Sequence, residues 1–253
     1  MILISALIIG NPTIELEEVD STNDFASRLL DGKEPVRDGT VIWANHQTNG
    51  RGQFDAKWLT NKAENLTMSI ILKPSNLHIK KQFYLTIISS LSILFLLKLY
   101  GVKAAIKWPN DCYVGKKKMA GILIQNSVIG QNIRSSIIGI GLNVNQKEFH
   151  PSVPNATSIL LETGKMFSIV DIRHQFFDCF ESYYLDLQNG NHDSIMSEYL
   201  ASLYQKDVVS MYKTEDEQQF NGIIRHVDES GLLHIELEDS SIRSFSLKEI
   251  RFL

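Results

Sequence analysis

The N-terminal third of the chain combines one amphipathic segment with two that predict strands. Residues 21–24 precede apolar positions at helical spacing and Gly32 follows them, which predicts a short capped helix with a glycine stop. Residues 40–44 predict a strand, and residues 65–72, in which polar and apolar positions alternate imperfectly, predict another. About twenty residues lie between these strands, and a loop of that length in a compact domain is usually functional or disordered.

The middle of the chain is dominated by one long apolar segment. Residues 79–100 predict a helix that ends at Gly101. Its most apolar part, 83–97, contains serine and threonine and falls short of the ~20 apolar residues that span a bilayer, so we expect a buried core helix. Further along, the pattern predicts three strands and two helices: strands at 102–108, 118–125 and 134–144, and helices at 171–187 and 194–203.

From residue 206 onward the pattern changes to short strands separated by polar turns. The predicted strands are 208–212, 220–227, 232–237 and 242–247. Regular spacing of this kind is typical of a small β-barrel. We therefore expect an α+β domain over residues 1–204 and a small β domain over 205–253. The apolar residues 2–9 fit either a first strand or a packed terminus.

The amino-acid composition indicates which partners are unfavourable and which redox compartment the protein fits. The chain has 253 residues, 43% of them hydrophobic, and a formal net charge of −4. Without a basic excess, avid binding to nucleic acid is not favoured. The two cysteines, Cys112 and Cys179, form no CxxC pair and no metal-binding spacing, which fits a reducing cytosol. No internal repeat is present.

The first segment with candidate chemistry lies in the long loop. Gly50 and Gly52 flank Arg51, an arrangement that lets backbone approach a ligand closely while a guanidinium faces anionic groups. Trp58 follows and offers a flat surface on which a base can stack. A flexible surface loop with a buried tryptophan anchor explains the same residues if they are taken alone.

Two more segments stand out in the middle of the chain. Residues 107–111 (Lys-Trp-Pro-Asn-Asp) fit an Asx turn, or a site where Lys107 and Asp111 face phosphate and a cation. In the run 116–118, lysines are expected to be solvated, but Lys118 opens an apolar strand beside Gly121 and can present its ammonium to a carboxylate. The chain has neither a GxxxxGK[S/T] phosphate loop nor a GxGxxG motif, which argues against a P-loop ATPase or a dinucleotide enzyme.

Taken in order, these segments resemble the catalytic domain of the biotin protein ligases, also called holocarboxylase synthetases. The matching segments span about 120 residues and are 21–23, 47–52 with Trp58, 107–111, 118–123 and 139–143. The resemblance implies a mixed β-sheet with flanking helices and, after it, a small SH3-like β-barrel. It also implies a short form of the family, since about twenty residues before Ser21 leave no room for a winged-helix DNA-binding domain.

The resemblance assigns roles to individual residues. Lys118 and Arg51 are implied as the catalytic cations. The residues implied in biotin binding are Ser21, Thr22, Asn23, Gln47, Gly50, Arg51, Gly52, Gln53, Lys118 and Gly121. The residues implied around ATP are Arg51, Trp58, Lys107, Asn110 and Asn143, with Thr157 and Ser158 as further candidates. Gln53 departs from the pattern, because many members carry a second arginine there.

The reaction implied by the resemblance has two steps. Biotin and ATP, with Mg²⁺, give biotinyl-adenylate, and a lysine of a biotin carboxyl carrier protein or domain then takes the biotin. A cytoplasmic enzyme without nucleic-acid or membrane partners is expected, while the choice between monomer and homodimer stays open. Two alternatives remain: a lipoate–protein ligase on the same fold, and a non-catalytic biotin-binding module.

Overall fold

The structure is a computed structural model that describes residues 8–53, 56–74 and 77–253. Most of the expected segment 2–9 lies outside the described residues. Ile8 and Ile9 are described, and their backbone N–H groups donate to the carboxylate of Glu181 at 3.0 and 3.2 Å. Ile9 is buried in the core. The start of the described chain is therefore fixed against a helix that follows about 170 residues later.

A seven-stranded mixed sheet forms the centre of the molecule, in the order β1-β2-β3-β7-β6-β5-β4. Only β1 and β2 pair in parallel among the described strands of this sheet; the other pairs are antiparallel. The strands are β1 Thr13–Leu16, β2 Thr40–Ala44, β3 Asn65–Leu72, β4 Ala105–Lys107, β5 Asp111–Val114, β6 Lys117–Ile129 and β7 Asn132–Asn143. Strand β3 is buried along its whole length, including its polar residues Asn65, Thr67 and Ser69.

Five helices flank this sheet: α1 Thr22–Asp31, α2 Phe83–Leu99, α3 Ile159–Thr163, α4 Ile169–Gln188 and α5 His192–Ala201. The predicted cap of α1 is confirmed, because the side chain of Ser21 accepts from the N–H of Asp24. At the other end, the N–H of Gly32 donates to the carbonyl of Leu29. This cap fixes the N-terminus of α1 directly above the sheet, where the candidate site lies.

Helix α2 is the apolar centre of the fold, as the sequence predicted. Together with a preceding 3-10 turn, Ile79–Lys81, it is long and apolar enough to cross a membrane. However, 67% of the apolar window is buried within the fold, as is common for the core helix of a globular domain. The helix packs against α4 and α5. Its apolar character is thus accounted for by tertiary packing.

A second, five-stranded antiparallel sheet follows, in the order β11-β10-β9-β8-β12. Its strands are β8 Val209–Thr214, β9 Gln219–Val227, β10 Leu233–Leu237, β11 Ile242–Phe245 and β12 Ile250–Phe252. The predicted barrel is not closed by hydrogen bonds between the described strands, since β11 and β12 form the two edges. The turn after β9 contacts the larger sheet: the indole N–H of Trp108 donates to the carbonyl of Gly231 at 2.9 Å.

Some elements differ from the sequence prediction. The expected strand at 102–108 is confined to β4, and β5 begins at Asp111, where an Asx turn was one interpretation. The two strands form a hairpin whose turn contains Trp108 and Pro109. Strand β1 and helix α3 were also missed. All are short, with three to five residues each, so they contain too little periodicity to be detected.

Candidate active site

A cleft of about 260 Å³ opens between the N-terminus of α1, the long loop and strands β3, β6 and β7. It brings together many residues that the sequence placed in a ligand site. Those that line it are Thr22, Gln47, Arg51, Gly52, Gln53, Trp58, Asn110, Lys118 and Gly121. The segments are far apart in sequence, so the sheet and the loop, rather than local structure, assemble the cleft.

One end of the cleft is polar and uncharged. The side-chain carbonyl of Gln47 accepts from both the N–H and the hydroxyl of Thr22, at 2.8 and 3.0 Å. The hydroxyl of Ser69 lies 2.7 Å from that of Thr22 and 2.6 Å from the amide oxygen of Asn23. Asn23 in turn donates to Gln125 at 3.0 Å. These buried groups are mutually satisfied, and they form a rigid frame for a neutral polar ligand group.

The glycine-rich part of the loop folds back on itself beside this end. The N–H of Gly52 donates to the carbonyl of Ala56 at 2.7 Å, and the N–H of Trp58 donates to that of Gly50 at 2.9 Å. A Cβ at Gly50 would overlap the Trp58 carbonyl, so this approach requires glycine. Arg51 is tied to helix α1 by an ion pair with Asp24 at 2.6 Å. The guanidinium is thereby held at the mouth of the cleft.

Lys118 enters the cleft because strand β6 contains a β-bulge. Cys112 lies opposite Ala120 and Tyr113 lies opposite Lys118, so Met119 is the extra residue. In a regular strand, Lys118 and Gly121 would point to opposite faces; with the bulge, both line the cleft. The ammonium of Lys118 lies 2.6 Å from the carboxylate of Asp111. Asp111 therefore orients the cation that the sequence singled out.

Trp58 separates the cleft from a second cavity of about 220 Å³. Its ring lies against β7, where a Cβ at Gly141 would overlap the indole. The indole nitrogen is buried and has no hydrogen-bond partner among the described residues. The second cavity is bounded by Asn143, Tyr113 and the segment 153–156. It is the more apolar of the two and lies on the far side of Lys118.

The segment that forms one wall of the second cavity is hydrogen-bonded to the backbone of Lys118. The backbone N–H of Lys118 donates to the carbonyl of Asn155 at 2.7 Å, and that of Thr157 donates to the carbonyl of Lys118 at 2.9 Å. The amide of Asn143 donates to the carbonyl of Thr157 at 2.9 Å. Asn143 therefore shapes the cavity by holding this segment. Asn110 holds strand β6 in a similar way, because its side-chain amide donates to the backbone carbonyl of Ile122.

Lys107 lies outside both cavities, in an aromatic enclosure. Its ammonium is 4.8 Å from the ring centre of Tyr113 and 5.1 Å from that of Phe252, which belongs to β12. Burial lowers the pKa of Lys107, Asp111 acts against this shift and Lys118 adds to it. Burial also raises the pKa of Tyr113 to about 12. The C-terminal sheet thus contacts one residue of the Lys-Trp-Pro-Asn-Asp segment directly.

Several predicted site residues stand behind the cleft rather than on its surface. Ser21 caps α1, Asn23 donates a hydrogen bond to Gln125 of β6, and the carbonyl of Gly50 accepts from the N–H of Trp58. Conversely, the cleft includes residues to which sequence reasoning assigned no role: Ala56, Lys57, Thr67, Met68, Ile122 and Leu123. Thr67 and Met68 belong to a wholly buried strand, so nothing in their pattern separates them from ordinary core. Lys57 could have been noticed as the cation next to Trp58.

Together these features suit an elongated ligand. The neutral polar end accepts a planar polar head, the aliphatic walls accept a chain, and the cations meet an anionic group at the other end. Among the described residues, no group of three or more His, Cys, Asp or Glu side chains could hold a metal ion. The fold and site therefore define a ligand-binding domain whose cleft has a neutral polar end and side-chain cations suited to an anionic group.

Comparison with known proteins identifies the family. The model of the biotin/lipoate A/B protein ligase family matches residues 16–143, which is half of the chain and includes most of the residues that line the cleft. The chain belongs to the biotin/lipoate A/B protein ligase family.

Two relatives illustrate the range of the similarity. A bifunctional ligase/repressor BirA from Bacillus spizizenii is 31% identical over 183 residues, which cover 71% of this chain and 55% of that protein. The chain thus spans about half the length of that relative. A biotin–[acetyl-CoA-carboxylase] ligase from Paracoccus denitrificans is 25% identical over 225 residues, covering 86% of this chain and 91% of that protein.

Solved structures show the same architecture. The biotin protein ligase from Aquifex aeolicus, in complex with biotin and ATP, superposes with a TM-score of 0.80 at 24% identity. The match covers 95% of this chain and 98% of that one. The biotin protein ligase from Leishmania major, in complex with biotinyl-5-AMP, gives a TM-score of 0.62 at 20% identity over 93% of this chain and 98% of that one. The fold of this chain is therefore shared with these structures over nearly its whole length.

Proposed function

We propose that this chain is a biotin protein ligase, which activates biotin with ATP and transfers it to a lysine of an acceptor protein. The observation that carries this proposal is the joining of two cavities at Lys118, one with a neutral polar end and one more apolar. A biotinyl-adenylate has the same order of parts: a polar ureido head, an aliphatic chain, a phosphate and a base.

Biotin is assigned to the cleft. Thr22, Gln47 and the backbone around Gly52 receive its ureido head, and Gly121 lines the slot for its chain. The carboxylate of biotin then lies near the ammonium of Lys118. Asp111 keeps this ammonium oriented at 2.6 Å, so the cation is in place before the substrate arrives.

ATP is assigned to the second cavity and its rim, with Trp58 as the surface for adenine and Asn143 holding the wall. In the first step, the biotin carboxylate oxygen attacks the α-phosphorus, and the bond to the leaving pyrophosphate breaks. In the second step, an unprotonated lysine amine attacks the acyl carbonyl; AMP leaves and the nitrogen loses a proton. Lys118 and Arg51 stabilise the charge that develops on oxygen in both steps.

Mg²⁺ is expected to bind together with the nucleotide, and the described residues of the cleft offer it few protein ligands. Asp111 is the acidic side chain on the surface of the cleft, and it is already paired with Lys118. An ion held largely by phosphate oxygens and water, with at most this one carboxylate, matches the usual behaviour of Mg²⁺ in nucleotide sites. Such an ion would neutralise part of the phosphate charge.

The acceptor is proposed to be a biotin carboxyl carrier protein or domain, because relatives are named for acetyl-CoA carboxylase. We also propose that residues 1–204 and 205–253 act as separate domains, with the second contributing to ATP use or acceptor docking. The contacts of Trp108 with Gly231 and of Lys107 with Phe252 support this assignment. Two buried, unpaired cysteines are compatible with a reducing cytoplasm.

Incubating the protein with ATP, Mg²⁺ and either biotin or lipoate tests the proposal, with the acyl-adenylate detected by mass. With biotin we expect biotinyl-adenylate and pyrophosphate, and with lipoate we expect neither lipoyl-adenylate nor pyrophosphate. An adenylate formed from lipoate, but not from biotin, would assign the other activity of the family. Biotin binding without any adenylate would indicate a non-catalytic binding module.

A further inference from the structure

The junction between the two cavities is formed by few side chains. Among the described residues, Lys57, Trp58 and Lys118 line both of them. In a biotinyl-adenylate, the phosphate is the part that joins the biotinyl chain to the nucleoside. If biotin occupies the cleft and adenosine the second cavity, the phosphate lies at this junction. Two lysines therefore flank the place where the negative charge is expected.

The cations around the junction differ in their partners. Lys118 is paired with Asp111 at 2.6 Å, and Arg51 is paired with Asp24 at 2.6 Å. Lys57 is an exposed residue, and its ammonium has neither an ion pair nor a hydrogen bond among the described residues. Each of the first two cations must share its charge with a carboxylate, whereas Lys57 need not give up a described partner to bind a phosphate.

The backbone around Lys57 limits how far the side chain can move away. Lys57 pairs with Arg51 across the folded loop, and Gly52 bonds to Ala56 at 2.7 Å beside it. The next residue, Trp58, is held by Gly50 and packs against Gly141. A long side chain that starts from this anchored position lies beside the junction without extra ordering of the backbone.

We propose that Lys57 is a phosphate-binding residue, which contacts the α-phosphate of ATP and then the phosphate of the biotinyl-adenylate. This inference rests on the proposed function. Gln53 lines the same cleft but offers a neutral amide in the loop. Lys57, on the opposite side of the folded loop, thus supplies a positive charge that Gln53 does not provide.

The test compares release of biotinyl-adenylate from the wild type, Lys57→Gln, Lys57→Arg and a matched control, Lys62→Gln. Lys62 is exposed in the same loop and faces Glu17 at 3.8 Å, away from the junction. Since a charge-assisted hydrogen bond is lost, we expect Lys57→Gln to release the adenylate about tenfold faster. Lys57→Arg and Lys62→Gln should stay within about threefold of the wild type.

A compensating variant sharpens the test. In the double variant Lys57→Gln/Gln53→Arg, a positive charge is restored at position 53. Release of the biotinyl-adenylate should therefore slow again toward the rate of the wild type. Equal release rates for Lys57→Gln and Lys62→Gln would overturn the assignment. So would peptide mapping of the wild type that finds biotin attached to Lys57, because its amine would then be an acceptor. If the wild type forms no adenylate at all, the proposed function fails instead.

Discussion

At the scale of single residues, Lys118 depends on one extra residue in strand β6. Met119 creates the bulge that turns Lys118 and Gly121 toward the same cleft. Lys116 and Lys117 are exposed at the start of the strand, and neither lines a described cavity around the site. Three consecutive lysines thus have different surroundings, and their contributions can be separated by substitution.

We expect Lys118→Ala to lower the rate of adenylate formation by about 10²–10³, the effect of losing one donor to developing oxyanion charge. The measurement is pyrophosphate exchange with biotin and ATP. Lys117→Ala is the matched control and should be close to the wild type. A greater loss in Lys117→Ala than in Lys118→Ala would contradict the register of this hairpin.

At the scale of elements, the glycine-rich loop is held to helix α1 by one ion pair. Asp24 lies in the first turn of α1, whose cap and buried Asn23 fix the helix to the sheet. Arg51 is the loop residue that reaches it, and its side chain remains 45% exposed. The pair therefore joins a rigid element to an element with fewer described contacts, and it sets the resting position of the guanidinium.

Asp24→Asn should loosen this loop. A partly exposed ion pair contributes ~0.2–1 kcal/mol, so we expect tryptic cleavage after Arg51 or Lys57 to become up to about fivefold faster. Asp20→Asn serves as the control, because the carboxylate of Asp20 pairs with Arg28 at 2.8 Å and not with a loop residue, while its backbone carbonyl keeps accepting from the N–H of Asn49 in the loop. Equal cleavage rates in both variants would mean that the ion pair does not order the loop.

The last strand, β12, is linked to the larger sheet through Phe252 and Lys107. Phe252→Ala removes one wall of the enclosure that lowers the pKa of Lys107. The resemblance implies that Lys107 faces ATP, and a group with a lowered pKa loses its charge at a lower pH. ATP binding by the wild type should therefore weaken earlier as pH rises, and we expect the variant, in which Lys107 is less desolvated, to shift this loss to higher pH.

Biotin binding distinguishes a local effect of Phe252→Ala from a general one. The cleft does not include Lys107 or Phe252, so the Kd for biotin, measured by calorimetry, should be unchanged. A parallel loss of biotin and ATP binding would show that β12 stabilises the fold rather than the nucleotide site. The same result would argue against separate tasks for the two sheets.

At the scale of the whole molecule, charge argues against recognition of DNA by this chain. The formal net charge is −4, and many of its cations are already paired with carboxylates. Proteins that bind DNA through its backbone instead present a surplus of cations to the phosphates. We expect no discrete complex in a gel shift with the DNA upstream of its own gene, with or without biotin and ATP. A biotin-dependent shift would contradict this expectation.

Local signals in the sequence were enough to predict the longer elements and the family, although the short elements β1 and α3 were missed. The cap at Ser21, the glycine stop at Gly32, the strands β2 and β3 and the core helix α2 follow from short-range patterning, and they are confirmed. The Lys-Trp-Pro-Asn-Asp segment identified the family because several unusual residues occur together. Such signals lie within a few turns or one strand, and propensity and spacing act over that range.

Contacts between distant residues could be decided only by the tertiary structure. Asn23 contacts Leu123 and Gln125, which follow it by 100 and 102 residues, and Lys107 contacts Phe252 of the second sheet. The bulge at Met119, the junction at Lys57 and the pairing of Asp24 with Arg51 have no local signature, because each arises from the register of strands or the folding of a loop onto a helix. The sequence by itself determined which residues were candidates; packing determined which of them share one cavity and which support it from behind.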